Sequence, residues 1–257
     1  MGHITIFNNI ITFVSFFVNV AFIFPLIIKI YTYITDKRYA KKVLGFDSDP
    51  VQISHGTFCL TTDIGITNNF ITYASLASVN NIINLLNISG QQFELMEKGC
   101  YIKNEINIGG FMVNKKVNSY FSKYFSGFRY ITDVKYKDKY EHYPIDTGFV
   151  EYSSEIFGFC INDEMFLEVK YGFTDYAFLI KMVEADFKDD NSRTVHILFG
   201  AGDKATYIAS EYLRTHYKQI FYKFGKGHYF LAIEVNLIDE SINHSKGIID
   251  LTDEMFG

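Results

Sequence analysis

The chain has 257 residues, 48% of them from the hydrophobic set and 18% aromatic, with a formal net charge of −5. That length holds one domain with a sizeable core, and the absence of low-complexity tracts and of a fixed repeat excludes a solenoid or a disordered chain. Residues 1–42 carry a net +4, so the remainder holds −9, which excludes a general binder of duplex nucleic acid, because phosphate neutralisation needs a basic surface.

The first element is an apolar run from Ile10 to Ile34 with no charged side chain until Lys29. As a helix, residues 10–28 would span roughly 28 Å, the thickness of a bilayer's hydrocarbon core. We read residues 1–34 as an N-terminal transmembrane helix. A secretory signal peptide would need a basic start, a shorter apolar centre and small residues at a cleavage site, and none is present. Tyr31 and Tyr33 suit headgroup depth, and Lys37, Arg38, Lys41 and Lys42 mark a cytoplasmic flank. The expected topology is therefore single-pass in the cell inner membrane, N-terminus out and C-terminal domain cytoplasmic.

Asn8, Thr12, Ser15 and Asn19 recur four, three and four apart, so they share one stripe of that helix. Ser and Thr side chains can satisfy their own backbone. Alternatively Thr12, Ser15 and Asn19 form a membrane stripe for self-association, or line a pore in a homo-oligomer. Pro25 is placed to kink the helix. Residues 35–50 then read as a basic juxtamembrane linker ending at Asp47-Ser48-Asp49-Pro50, and residues 51–257 as a cytosolic α/β sensor domain.

Within that domain Val51 to Ser54 reads as a strand running into His55-Gly56-Thr57, and Asn69 to Asn87 has apolar positions at helical spacing before the Gly90 stop. A second unit follows: strand Glu105 to Ile108, Gly109-Gly110, and a helix from Val113 to Tyr124. A strand is expected near Tyr130 to Val134, and Tyr136 to Gly172 as a β-rich antiparallel insertion. In the third unit Tyr176 to Val183 is a strand and Thr194 to Phe199 a β-branched central strand. It enters Gly200-Ala201-Gly202-Asp203, followed by a helix from Lys204 to Tyr217. Tyr229 to Leu237 is a last strand, and Ile238 to Gly257 an acidic tail. Alternating strands and helices across short glycine turns argue for an α/β fold, a three-layer domain with a largely parallel sheet. Ligands collect at the carboxyl ends of such strands.

Glycine at a strand-to-helix turn lets a ligand approach the backbone, and the free amides of a helix start attract phosphate. On that ground Gly109, Gly110, Gly200 and Gly202 are candidates to offer amides. Asn114, Lys115, Lys204 and Thr206 are candidate side-chain donors to an anion, and His55, with Gly56 and Thr57, would read a base or ribose. Each also has an ordinary structural reading, as a turn, a cap or a solvated helix face. Asp63, Asp203, Glu155 and Asp163 are carboxylates without an acid–base spacing, so no catalytic residue is assigned. Cys59, Cys100 and Cys160 fit reduced thiols, and no metal or cofactor motif is present.

The pattern strand-Gly-Gly-x-x-x-Asn-helix at Ile108 to Lys115, then Asp175-Tyr176-Ala177, then strand-Gly-x-Gly-x-x-Ala-Thr-x-x-Ala-helix at Phe199 to Ala209, resembles a Rossmann-like domain of bacterial proteins. Joined to the N-terminal span, the layout is similar to membrane effectors of bacterial anti-phage signalling systems such as CBASS and Thoeris. The resemblance implies a sensor domain for a nucleotide-derived small molecule or short oligonucleotide, with the lipid bilayer and a homo-oligomer as partners and membrane disruption as output. A membrane-anchored enzyme acting on a nucleotide or sugar-nucleotide is the alternative.

Overall fold

A computed structural model of the chain describes residues 2–46, 50–61, 67–95, 104–110, 113–131, 157–170, 172–187, 193–238, 241–242 and 247–257. Side chains are described from residue 23 onward, except those of 58–61, 67–70, 131, 157 and 241–242. Helix α1 (Gly2–Leu44) has 43 residues and contains Pro25. Residues 35–44, read from sequence as linker, are its last turns, and Ala40, Val43 and Leu44 are wholly buried there. Charged side chains on the exposed face had masked this helical continuation. Among the described residues no helix is long and apolar enough to cross a membrane. Thr12, Ser15 and Asn19, the expected membrane stripe, lie outside the described side chains.

Strands β1 (Val51–His55), β2 (Phe58–Thr61) and β3 (Thr67–Phe70) precede α2 (Tyr73–Ser89). Thr72 caps α2 by accepting from the Ser75 amide, and Gly90, at φ 74°, ends it. Next come β4 (Phe93–Leu95), β5 (Asn104–Ile108) and α3 (Lys115–Tyr124). The strand expected near Tyr130 is β6 (Phe128–Ile131); with β7 (Phe157–Ile161) and β8 (Met165–Val169), which lie within the stretch read as an antiparallel insertion, it forms a three-stranded antiparallel sheet. The chain continues through β9 (Thr174–Met182), β10 (Thr194–Gly200), α4 (Asp203–Phe224) and β11 (Tyr229–Asn236). Within the stretch read from sequence as an acidic tail lie β12 (Ser241–Ile242), β13 (Ile248–Asp250) and α5 (Thr252–Phe256).

The main sheet runs β12-β11-β9-β10-β5-β1-β4, with β13 also on β11. Its β4-β1-β5-β10 half is parallel, as expected. The other half is antiparallel, because β9 inserts between β10 and β11 and opposes both. The fold is therefore mixed α/β. On one face α2, α4 and the end of α1 bury Ile82, Leu85, Ile208 and Leu213 against Ile53, Ile106, Leu198 and Leu231. The opposite face is covered by α3, α5 and the small sheet, over an aromatic core. Phe178 stacks on Phe199 at 4.7 Å and meets Phe159 edge-on at 4.6 Å, offset and edge-on geometries favoured by ring quadrupoles.

Helix α1 runs in the same direction as α4. Asp36 pairs with Lys218, the Tyr222 hydroxyl donates to that of Tyr39 at 2.7 Å, and Lys42 lies over Phe221. Residues 23–34 lie ahead of these contacts, and every one is exposed.

Candidate functional site

The three glycine loops meet at the carboxyl ends of β1, β5 and β10, three adjacent strands. The Gly56 amide donates to the Ile108 carbonyl and the Gly109 amide to that of Leu198, both at 2.9 Å. A side chain on Gly56 would collide with Val113, and one on Gly200 with Ala205. Gly109 adopts φ +100°, closed to most other residues. These glycines let the crossovers pack directly on the sheet.

The polar groups the sequence offers to a ligand are engaged within the fold. Asn114 is buried and caps α3, accepting from the Lys116 and Val117 amides at 3.1 and 3.5 Å while donating to Ser54 Oγ and the Ile108 carbonyl, both at 3.0 Å. Thr206 Oγ1 accepts from the Gly200 amide at 3.0 Å and donates to the Gly202 carbonyl at 3.2 Å. The Ala201 and Gly202 amides, at the start of α4, donate to Asp175 at 3.2 and 2.8 Å, and the Tyr176 amide adds a third bond at 2.6 Å. A carboxylate of the protein itself thus sits where an anion would bind. Burial pushes the Asp175 carboxyl up from 3.8 to about 6, against the three amides that stabilise its charge. At the rim, Thr57, Lys115, Gly202 and Lys204 are exposed, while His55 and Gly110 are half-buried.

A second polar assembly lies between α3 and the sheet. Gln52 and Ser54 of β1 and Glu105 and Asn107 of β5 share the face opposite Ile53 and Ile106, and all four are buried. Lys116, rather than Lys115, turns inward: its Nζ donates to Gln52 Oε1 at 2.9 Å and meets Glu105 Oε2 at 3.2 Å. The Tyr120 hydroxyl and Asn107 Nδ2 each reach Glu105 Oε2 at 3.4 Å. Burial first, and Glu105 second, raise Tyr120 far above the ordinary phenol range, so it stays a donor. Asn107 is wholly buried, and its Oδ1 has no hydrogen-bond partner among the described residues.

A third assembly grips the C-terminal end of α1. Lys181 of β9, wholly buried, donates from Nζ to the Val43 and Lys226 carbonyls at 2.9 and 3.0 Å. His196 Nε2 lies 2.9 Å from the Leu44 carbonyl. A carbonyl only accepts, so Nε2 carries the proton, and the Tyr229 hydroxyl donates to Nδ1 at 3.4 Å. Thr194 Oγ1 donates to the Gly45 carbonyl at 3.2 Å. The orphan carbonyls of a helix end are met here by a cation, with the favourable sign for the helix dipole. Burial, and then Lys181, hold His196 down from 6.5 to about 3, against the Leu44 bond that favours the charged ring.

Sequence reading quoted Asp175 only within the resemblance pattern, without a role, and did not single out Glu105, Asn107, Lys181 or His196. A signal exists for two of them: Lys181 and His196 are each a lone polar residue inside an otherwise apolar run, Phe178-Leu179-Ile180-Lys181-Met182 and Val195-His196-Ile197-Leu198. Asp203 heads α4 within its first turn, and Asp163 pairs with Arg129. Asp63 and Glu155 lie outside the described residues. No group of three or more His, Cys, Asp or Glu able to hold a metal occurs among the described residues.

The chain matches no protein-family model, no curated protein and no solved structure.

Proposed function

We propose that the protein is a membrane effector of a bacterial anti-phage signalling system, in which the α/β domain binds a nucleotide-derived signal and α1 carries the response into the bilayer. The observation that carries this reading is α1 itself. Nine large apolar side chains between Ile23 and Ile34 are all at least 49% exposed, while the final turns of the same helix are fixed to the domain by Lys181, His196 and Thr194. A contiguous apolar surface of that kind calls for lipid or another copy of the helix. Tyr31 and Tyr33 followed by Lys37 and Arg38 support lipid, since that order suits the passage from hydrocarbon to a cytoplasmic headgroup layer. The Rossmann-like reading of the domain rests on the three glycine loops converging on adjacent strands, with His55, Thr57, Lys115 and Lys204 on their rim to meet a charged ligand.

The test is inducible expression in bacteria of the full chain and of an Ile27→Lys, Ile30→Lys variant, with membrane fractionation and a potential-sensitive dye. Alkali-resistant membrane association and depolarisation by the full chain, both lost in the variant, are the expected result. Recovery of the full chain in the soluble fraction would overturn the reading.

A further inference from the structure

The cations near the end of α1 are placed by the fold and not neutralised by it. Lys37, Arg38, Lys41 and Lys42 stand within six residues of that helix. Their spacings of three and four make them lateral neighbours, where like charges repel. Asp36 is the one acidic residue between residues 23 and 44, and Lys218 of α4 takes it. Among the described residues no carboxylate pairs with any of the four cations. The helix dipole supplies only about half a negative charge at this end, and Lys181 already sits on it. Lys42 lies over Phe221 at 5.1 Å. Lys37, Arg38 and Lys41 are exposed, and Lys37 lies against Gly90, where an added methyl would come 3.0 Å from its Nζ.

No linker separates this cluster from the exposed apolar run, because α1 is continuous through both. Ile34 lies one turn ahead of Arg38 and two ahead of Lys41, and Ile30 and Tyr33 stand likewise ahead of Lys37, so apolar and basic side chains share the same helix faces. With Tyr33 at the edge of the hydrocarbon, Lys37 and Arg38 follow within roughly 6–8 Å, and the headgroup layer is itself roughly 5–8 Å thick. Lys41 starts further on, but helical side chains lean toward the N-terminus, which brings its ammonium back toward that layer. The domain joins the helix at the same height, through Asp36 with Lys218 and Tyr39 with the exposed Tyr222.

We propose that Lys37, Arg38 and Lys41 form a docking surface for anionic phospholipid headgroups, with Tyr222 of α4 beside it, so that the α/β domain rests directly on an acidic bilayer. This deepens the membrane reading above and rests on it. The occupant is lipid phosphate rather than a soluble anion, because the helix faces that carry the cations carry exposed Ile30, Tyr33 and Ile34 one and two turns earlier. Each Lys or Arg close to an anionic surface strengthens association about fivefold. The attraction weakens as salt screens it.

The chain contains no tryptophan, so Tyr222→Trp places a single fluorescent reporter on the domain beside the cluster. The full chain with that substitution is reconstituted into phosphatidylcholine vesicles carrying a minor share of phosphatidylglycerol or of phosphatidylcholine, each spin-labelled at the headgroup end of the acyl chain. The expected result is quenching by the labelled phosphatidylglycerol about threefold or more stronger than by the labelled phosphatidylcholine. The preference should vanish at high salt and when Lys37→Gln, Arg38→Gln and Lys41→Gln are combined, with the chain still resistant to alkaline extraction. Far-ultraviolet circular dichroism verifies folding, and Tyr33→Trp, on the helix next to the cluster, serves as the reporter if Tyr222→Trp is misfolded. Equal quenching by the two lipids, no quenching by either in an inserted chain, or a preference that survives in the folded triple variant would overturn the docking surface and leave the membrane reading standing. A chain that alkali strips from the vesicles would overturn this proposal and count against the membrane reading as well.

Discussion

The ammonium of Lys181 lies 2.9 Å from the carbonyl of Val43, joining the C-terminal end of β9 to the last turn of α1 across 138 residues of sequence. The same nitrogen holds Lys226, just past the end of α4. Two helix C-termini therefore converge on one buried cation.

Replacing Lys181 by Met leaves both carbonyls without this donor inside the protein. Unsatisfied buried acceptors cost about 1–3 kcal/mol each, so Lys181→Met is expected to lose about 3 kcal/mol in denaturant unfolding. Amides of residues 40–46 should exchange faster relative to those of β5. Unchanged exchange there would show that Lys181 does not hold the helix.

Asp175 gives the protein a pH dependence of unusual sign. Its folded-state carboxyl titrates at about 6 against an ordinary 3.8. As pH rises from about 4 to 6, the unfolded chain loses this proton while the folded chain keeps it, so stability falls with rising pH. The full shift corresponds to about 3 kcal/mol. In Asp175→Asn the decline should vanish, so the difference between wild type and variant, measured by unfolding from pH 4 to pH 7, should itself slope downward. A flat difference would place the carboxyl at its ordinary value.

His196 works in the opposite direction. Its folded value near 3 lies below the ordinary 6.5, so as pH falls from about 6.5 the unfolded chain takes up a proton that the folded chain refuses, and stability is lost. His196→Gln keeps a side-chain amide to donate to Leu44 without titrating. It should lower stability at pH 7 by about 1 kcal/mol yet resist acid better than wild type below pH 6. Between about pH 4 and 6 the Asp175 and His196 contributions oppose one another, so the wild-type profile alone hides both and the two variants are needed to separate them.

Gly200→Ala tests the close crossover from β10 to α4. The added methyl would meet Ala205 and lie 3.0 Å from the Thr206 amide nitrogen, neither of which is the end of a flexible side chain. A loss of about 1–3 kcal/mol is expected, as for overpacking elsewhere. An unchanged melting temperature would mean that the turn relaxes without cost.

The parallel half of the sheet was legible because its strands are short apolar runs closed by glycine and followed by helical periodicity, as at Glu105 to Lys115. The antiparallel half was not. Tyr176 to Val183 reads as a strand, but nothing local says that it inserts between β10 and β11. The end of α1 was hidden for a similar reason. Lys37, Arg38, Lys41 and Lys42 look like a flanking cluster, and only the packing of Tyr39, Ala40 and Val43 against the domain shows that the helix continues. At the glycine loops the strand-to-helix turns were legible, yet the partner of the Ala201 and Gly202 amides is Asp175, which lies 25 residues before Gly200 with no spacing that assigns it that role.

Among the described side chains, the contacts that hold α1 to the domain run from Asp36 to its C-terminal end, so residues 2–35 form a lever of roughly 51 Å at about 1.5 Å per residue. A tilt of about 5° at that grip displaces the far tip by roughly 4 Å over that length. Side-chain shifts of a fraction of an ångström around Lys181, Thr194 and His196 are thereby magnified tenfold at the other end of the helix, and strands β9 and β10, which carry those residues, reach Asp175 and Gly200 at their opposite ends.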